Sequence, residues 1–263
     1  MNYMDNGEAR RRQILRRMGV DVWITRDAAP ESGSHEPADV APESSPARSE
    51  QPSTIPAPTA PASAVAGNAV ATMDWGALEE AVAGCTLCPL CQSRTQTVFG
   101  VGRRDADILV IGEAPGADED RQGEPFVGRA GQLLDNMLKA LGYGREQVFI
   151  ANILKCRPPR NRDPQAEEVD ACRPYLARQI ELIQPSVILA VGRVAAQNLL
   201  GTDRPLRMLR QQVHTLEVGT VPVVVSYHPA YLLRTPQDKA KAWDDLKRLR
   251  ELLPTVTGPE SMP

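Results

Sequence analysis

The chain has 263 residues, enough for one substantial core with sequence to spare. A formal charge of −3, from 30 Lys and Arg against 33 Asp and Glu, excludes a globally basic nucleic-acid binder. No apolar stretch is long enough to span a membrane and the N-terminus lacks a secretory apolar run, so a cytosolic monomer is expected, whose five cysteines are thiols or metal ligands rather than disulfides.

The charge is unevenly spread. Residues 1–75 carry 7 basic and 10 acidic side chains and the remainder 23 of each, so any grip on an anionic polymer must come from a local patch. Residues 8–26, EARRRQILRRMGVDVWITR, open as a basic helix with Ile14, Leu15 and Met18 at helical spacing, followed by Val20, Val22 and Trp23. An isolated helix of this length is marginal in water, so the segment is expected to order only on a partner. Its leucine, glycine and tryptophan spacing resembles the N-terminal peptide of the bacterial DNA polymerase III psi subunit, which docks on the chi subunit. That resemblance implies a replication or repair protein as the partner; a tail without one is the alternative. Residues 29–72 are rich in Pro, Ala, Ser and Glu without an aromatic residue, which predicts a disordered linker. The predicted organisation is a docking segment over 1–28, the linker over 29–72, a folded domain over 73–254 and a flexible tail over 255–263.

Within the domain, ADILVIG (106–112) reads as a buried strand that runs into the turn GEAPG, and AGQLLDNMLKALG (130–142) as a helix stopped by glycine. QVFIAN (147–152) is a second strand. PQAEEVDACRPYLARQIELIQ (164–184) is a helix with proline at its first turn and acids near its start. PSVILAVG is a third strand, VAAQNLLG a short helix, VPVVVSYHP a fourth strand and QDKAKAWDDLKRLRELL a closing amphipathic helix. Short apolar runs alternating with helices predict a three-layer α/β/α sandwich around a mainly parallel sheet. In such sheets sites form where strands end, so GEAPG, Asn152 and HPAYLLR (228–234) are expected to converge on one edge.

Cys85 and Cys88 form a CxxC turn; Cys156 and Cys172 follow far along the chain. A CxxC holds a metal from a tight loop, and two thiolates supplied by the fold complete a four-sulfur site. Cys91 makes a second CxxC with Cys88, or serves as a small buried hydrophobe, so the spacing leaves the ligand set open. It equally leaves zinc and a [4Fe-4S] cluster open. Around Cys156 the loop KCRPPRNRDP gathers Lys155, Arg157, Arg160 and Arg162 into the local cationic patch that phosphates require, with Pro158 and Pro159 limiting its freedom.

Together, CTLC at 85, VFGVG at 98, GEAPGADEDRQGEPFVGRAGQLL at 112, NILKCRPPRNRDP at 152 and HPAYLLR at 228 closely resemble the family 4 uracil-DNA glycosylases, the iron–sulfur-containing bacterial and archaeal type. The resemblance covers about residues 76–253. It implies a [4Fe-4S] cluster on Cys85, Cys88, Cys156 and Cys172, and hydrolysis of the N-glycosidic bond of uracil flipped out of DNA, which initiates base excision repair. It also implies roles for single residues. Phe126 stacks on the base. Asn152 accepts from uracil N3–H and donates to O4, a pattern that cytosine reverses. His228 donates to O2 as charge develops there.

The GEAPG turn is less typical. The best-known uracil glycosylases carry an aspartate where this chain has Ala114, so Glu113 and the backbone of Gly112 and Ala114 are expected to contact uracil or water, with Glu119 a second candidate. Otherwise ADED is a solvated acidic turn. In HPAYLLR, Leu232 or Leu233 is expected to wedge into the duplex and Arg234 to face phosphate. The alternative function is a non-catalytic iron–sulfur DNA-binding or damage-sensing module, which leaves Phe126, Asn152 and His228 unexplained.

Overall fold

The computed structural model describes residues 69–216 and 220–253. The predicted docking segment, most of the predicted linker and the predicted C-terminal tail lie outside the described residues. Six strands form one sheet: β1 (Val101–Gly102), β2 (Ile108–Gly112), β3 (Phe149–Asn152), β4 (Val187–Val191), β5 (His214–Thr215) and β6 (Pro222–Ser226). Their order is β1-β3-β2-β4-β6-β5, with the inner four parallel and the two edges antiparallel. The two edge strands, each two residues long, escaped the sequence reading because such a run has no periodicity to detect.

The inner strands are buried on both faces, which is why they read as unbroken apolar runs rather than alternating ones. Ile108 and Val110 face α1 (Arg129–Leu141) and α2 (Lys239–Glu251), packing with Leu134, Leu138, Leu246 and Leu249. Leu109 and Ile111 face the opposite layer, where α3 (Ala166–Ile183) contributes Val169, Leu176 and Ile180 and α4 (Arg193–Leu200) contributes Ala195 and Ala196. The three predicted layers are therefore present. Among the described residues no helix is long and apolar enough to cross a membrane.

Two boundaries differ from expectation. Val70, inside the stretch read as linker, is buried against Leu78, Val82 and Tyr175, so the packed domain begins at least there. Pro164 is not in the first turn of α3. The helix starts at Ala166 because the Glu168 carboxylate accepts from the Gln165 backbone N–H at 2.9 Å and fixes Gln165 as the cap.

β2 lies at the centre: the chain steps to β3 on one side of it and to β4 and β6 on the other. The switch point is therefore at the C-terminal end of β2, where Gly112 pairs with Asn152 and the GEAPG turn departs.

Candidate active site

At that switch point a cavity of about 520 Å³ opens. Its walls bring together Glu113, Ala114, Glu119, Phe126, Asn152 and His228, the side chains predicted for the base, and they include Arg162 and Arg234 from the predicted basic set. The three segments converge because parallel strands deliver their C-terminal ends to one edge.

Close packing shapes the floor. A Cβ built on Gly112 would stand 2.4 Å from Asn152 Oδ1 and 2.7 Å from the Phe126 ring, so only glycine lets both side chains meet there. Phe126 adopts a left-handed φ of 54°, unusual for a bulky residue, and is buried. Its ring lies 5.6 Å from that of His228, with 28° between the planes. Asn152, 2% exposed, ends β3 and makes no side-chain hydrogen bond to another described residue, although its amide faces the cavity.

His228 caps the short helix Pro229–Arg234, its Nδ1 accepting from the Ala230 backbone N–H at 3.1 Å. An Nδ1 that accepts puts the proton of the neutral ring on Nε2, which makes Nε2 a donor. Burial, and then the nearby Arg234 charge, lower its pKa from 6.5 to about 4, so the ring is neutral near pH 7.

The acids divide by role. Glu113 is half-buried on the cavity wall; burial raises its pKa, Asp163 adds to the rise and Arg193 opposes it. Glu119 spends both carboxylate oxygens on backbone, accepting from Gly116 N–H and from Val127 N–H, each at 3.1 Å. It therefore staples the two ends of the loop that carries Phe126. Asp120 is buried and accepts from the Thr95 backbone N–H and hydroxyl. ADED is thus no solvated turn, which sequence could not reveal because Thr95 lies 25 positions away.

Two expected DNA contacts are overturned. Lys155 is 1% exposed, its Nζ donating to Asn152 O at 3.0 Å and Gln179 Oε1 at 2.7 Å, so it cannot meet phosphate. Leu232 is fully buried in the core beside α1 and cannot wedge into a duplex; its neighbour Leu233 is only half-buried. The remaining cations are better placed. Arg160 and Arg234 are exposed, Arg157 donates to Asn161 Oδ1 at 2.7 Å, and Arg162 pairs with both Glu168 oxygens.

Cys156 and Cys172 are buried, and Cys85, Cys88 and Cys91 partly so. Among the described residues no three possible ligands are drawn together as a formed metal site. The thiols nonetheless share one neighbourhood: Cys88 feels Cys85 and Cys91, and Cys156 and Cys172 both feel Cys88. Burial pushes the Cys172 thiol up to about 12 and raises Cys88 and Cys156 as well. Arg94, which sequence reading missed, donates from Nη1 to Cys156 Sγ at 3.0 Å. Nothing local marks it, since that partner is 62 positions distant.

Comparison with known proteins agrees with this geometry. Residues 99–247 match the family pattern of the uracil DNA glycosylase superfamily. The type-4 uracil-DNA glycosylase of Archaeoglobus fulgidus is 46% identical over 177 residues, covering 65% of this chain and 89% of that protein. Its counterparts from Sulfurisphaera tokodaii and Pyrobaculum aerophilum are 42% and 41% identical, over 66% of this chain and 83% and 92% of theirs. With its site at the C-terminal edge of a mainly parallel sheet and relatives of this kind along most of the described region, the chain belongs to the uracil-DNA glycosylase superfamily, as a type-4 uracil-DNA glycosylase.

Proposed function

We propose that the cavity binds a uracil flipped out of DNA and that Phe126, Asn152 and His228 divide the work of releasing it. The observation that carries this reading is the fixed His228 tautomer, a neutral ring with its Nδ1 occupied and its Nε2–H free to donate. Extrusion of the base costs a few kcal/mol of stacking and pairing. Phe126 returns about 1–3 kcal/mol by stacking. The Phe126 and His228 rings, 5.6 Å apart, leave no slot between them, because a sandwiched base needs about twice the 3.4 Å spacing of a duplex. Uracil is therefore not sandwiched between them; it stacks on Phe126 with its O2 edge turned towards His228.

Asn152 reads the Watson–Crick edge, accepting from N3–H and donating to O4. As the N1–C1′ bond breaks, its electron pair passes to uracil and negative charge gathers at O2. His228 Nε2–H donates there; a preorganised donor of this type lowers the barrier by about 3–4 kcal/mol. A neutral donor suits this task, because it stabilises the leaving anion without having to surrender a proton. The sugar is left as an oxocarbenium-like cation, which water captures at C1′. Glu113, which lines the cavity beside Ala114, orients that water in this reading, while Gly112 and Ala114 offer backbone to the base. Glu119 acts through the loop rather than on uracil.

Phosphates are gripped by Arg157, Arg160, Arg162 and Arg234, with Leu233 the wedge. Cys85, Cys88, Cys156 and Cys172 hold a [4Fe-4S] cluster. Four thiols from a CxxC turn, a loop and a helix are the donor set such a group takes, and Cys91 lies beside them. The cluster supplies a structural crosslink between these segments. Residues 1–28 form a docking segment for a replication or repair protein, tethered by the Pro- and Ala-rich linker that follows it.

The test is incubation with an oligonucleotide containing one uracil, followed by alkali. Cleavage at the uracil by the native protein, and its loss in Asn152→Ala with duplex binding retained, is the expected result. Uracil release by Asn152→Ala at the native rate overturns the assignment.

A further inference from the structure

Lys155 is the least expected group beside the cavity. Its amine is buried and both of its hydrogen-bond partners are neutral oxygens, Asn152 O at 3.0 Å and Gln179 Oε1 at 2.7 Å. Burying an ammonium without a carboxylate is costly, and an apolar chain of equal length would fill the same space. The position of the amine explains its presence. Asn152 is where β3 stops pairing as a strand: Ile153 N–H still donates to Gly112 O and Leu154 N–H to Glu113 O, and the chain then leaves the sheet. Beyond this point the Asn152 carbonyl has no strand neighbour, and Lys155 Nζ supplies its donor.

The network continues. Gln179, fully buried on α3, donates from Nε2 to Phe99 O at 3.0 Å, and Lys155 O accepts from Val98 N–H at 2.8 Å. Gln179 stands seven residues after Cys172, two turns along the same helix and on the same buried face. One amine thus ties together the end of β3, the chain preceding β1 and the helix that carries Cys172.

We propose that Lys155 is a positioning residue for uracil recognition, setting the Asn152 peptide, and through it the Asn152 amide, against the body of the domain. The proposal rests on Asn152 being the uracil reader. A misplacement of about 1 Å in a reacting geometry costs up to about a hundredfold in rate. An amide that wanders should accordingly slow bond cleavage without weakening the grip on DNA.

Lys155→Met should lower kcat by about ten- to a hundredfold, with KM and duplex affinity within about twofold of native, measured on the folded fraction. A residue that merely stabilises the fold would lower the melting temperature and leave kcat of the folded fraction intact, and that result overturns the proposal. Gln179→Met removes the other anchor of the same amine without touching Asn152, so its kcat should fall in the same direction. If the two act as one unit, Lys155→Met/Gln179→Met is no slower than Lys155→Met; losses that multiply overturn the proposal. Should Lys155→Met not fold, Gln179→Met decides alone: a lowered kcat at native KM supports the proposal and a native kcat overturns it. Full activity in Asn152→Ala removes the uracil-reading assignment itself, whereas an inactive Asn152→Ala beside a native-like Lys155→Met removes only this inference.

Discussion

A Cβ placed on Gly131 would stand 1.7 Å from the carbonyl oxygen of Phe126. The first turn of α1 therefore packs directly against the peptide that holds Phe126 at its left-handed φ of 54°. Exchange of a helical glycine for alanine ordinarily gains about 0.5–1 kcal/mol. At this position the clash decides the sign. Gly131→Ala should lose about 1–3 kcal/mol of stability as the Phe126 loop is forced outward. Uracil release should fall by about tenfold or more, because the stacking ring moves with its backbone. Denaturant midpoints and single-turnover rates check both; a more stable and fully active variant would falsify the packing argument.

The pH profile separates the two titrating groups. His228 stays neutral down to a pKa of about 4, so no activity limb is expected at the ordinary histidine value of 6.5. Glu113 has a raised pKa, so its carboxylate forms only as pH climbs through that elevated value, and activity rises with it. Glu113→Gln should remove this limb and His228→Gln should leave it in place while lowering kcat by about a hundredfold or more. A limb at 6.5 that vanishes in His228→Gln would contradict the neutral-donor assignment.

His228 also links stability to pH. Once unfolded it takes up a proton as pH falls below about 6.5, whereas folded it does so only near 4, so across that window the unfolded state binds more protons. Its contribution to stability is therefore complete above 6.5 and lost as pH falls towards 4. Denaturant midpoints at pH 7 and pH 5 should differ less in His228→Gln than in the native protein.

Glu119 fastens the Phe126 loop at Gly116 and Val127. Glu119→Ala leaves two partly buried backbone N–H groups without an acceptor, at about 1–3 kcal/mol each where water cannot replace it. Reduced kcat and increased proteolysis within residues 116–128 are expected, and Glu119→Gln, which keeps one acceptor oxygen, should fall between. Equal losses in both variants would point instead to a charge requirement at the site.

Removal of the proposed cluster tests the role of the thiols. Stripping iron with a chelator under reducing conditions, or replacing Cys172 by Ala, should bleach visible absorbance, lower the melting temperature and loosen the loop that follows Cys156. Bond cleavage should fail only as the fold does, since no thiol lines the cavity. A colourless native protein with full uracil release would sink the cluster assignment.

How much of this was legible varied with the range of the interaction concerned. The four inner strands and the principal helices were readable because burial on both faces imposes continuous apolar runs, and amphipathic helices impose their own period. The convergence of Glu113, Asn152 and His228 followed from parallel topology alone. Lys155 misled, because a lysine among arginines and prolines reads as solvent-exposed, and its burial depends on Gln179, 24 positions away on another element. Leu232 and Leu233 were indistinguishable as sequence, and only the rotation of their short helix turned one into the core.

The sequence by itself therefore determined the inner parallel strands and their covering helices, the edge of the sheet where the cavity opens and the residue types that gather there, since those rest on periodicity and chain order. Tertiary structure alone decided which cations are buried and which exposed, which proton His228 keeps and which acid is spent on holding a loop. Those outcomes depend on burial and on hydrogen-bond partners that only folding brings within reach.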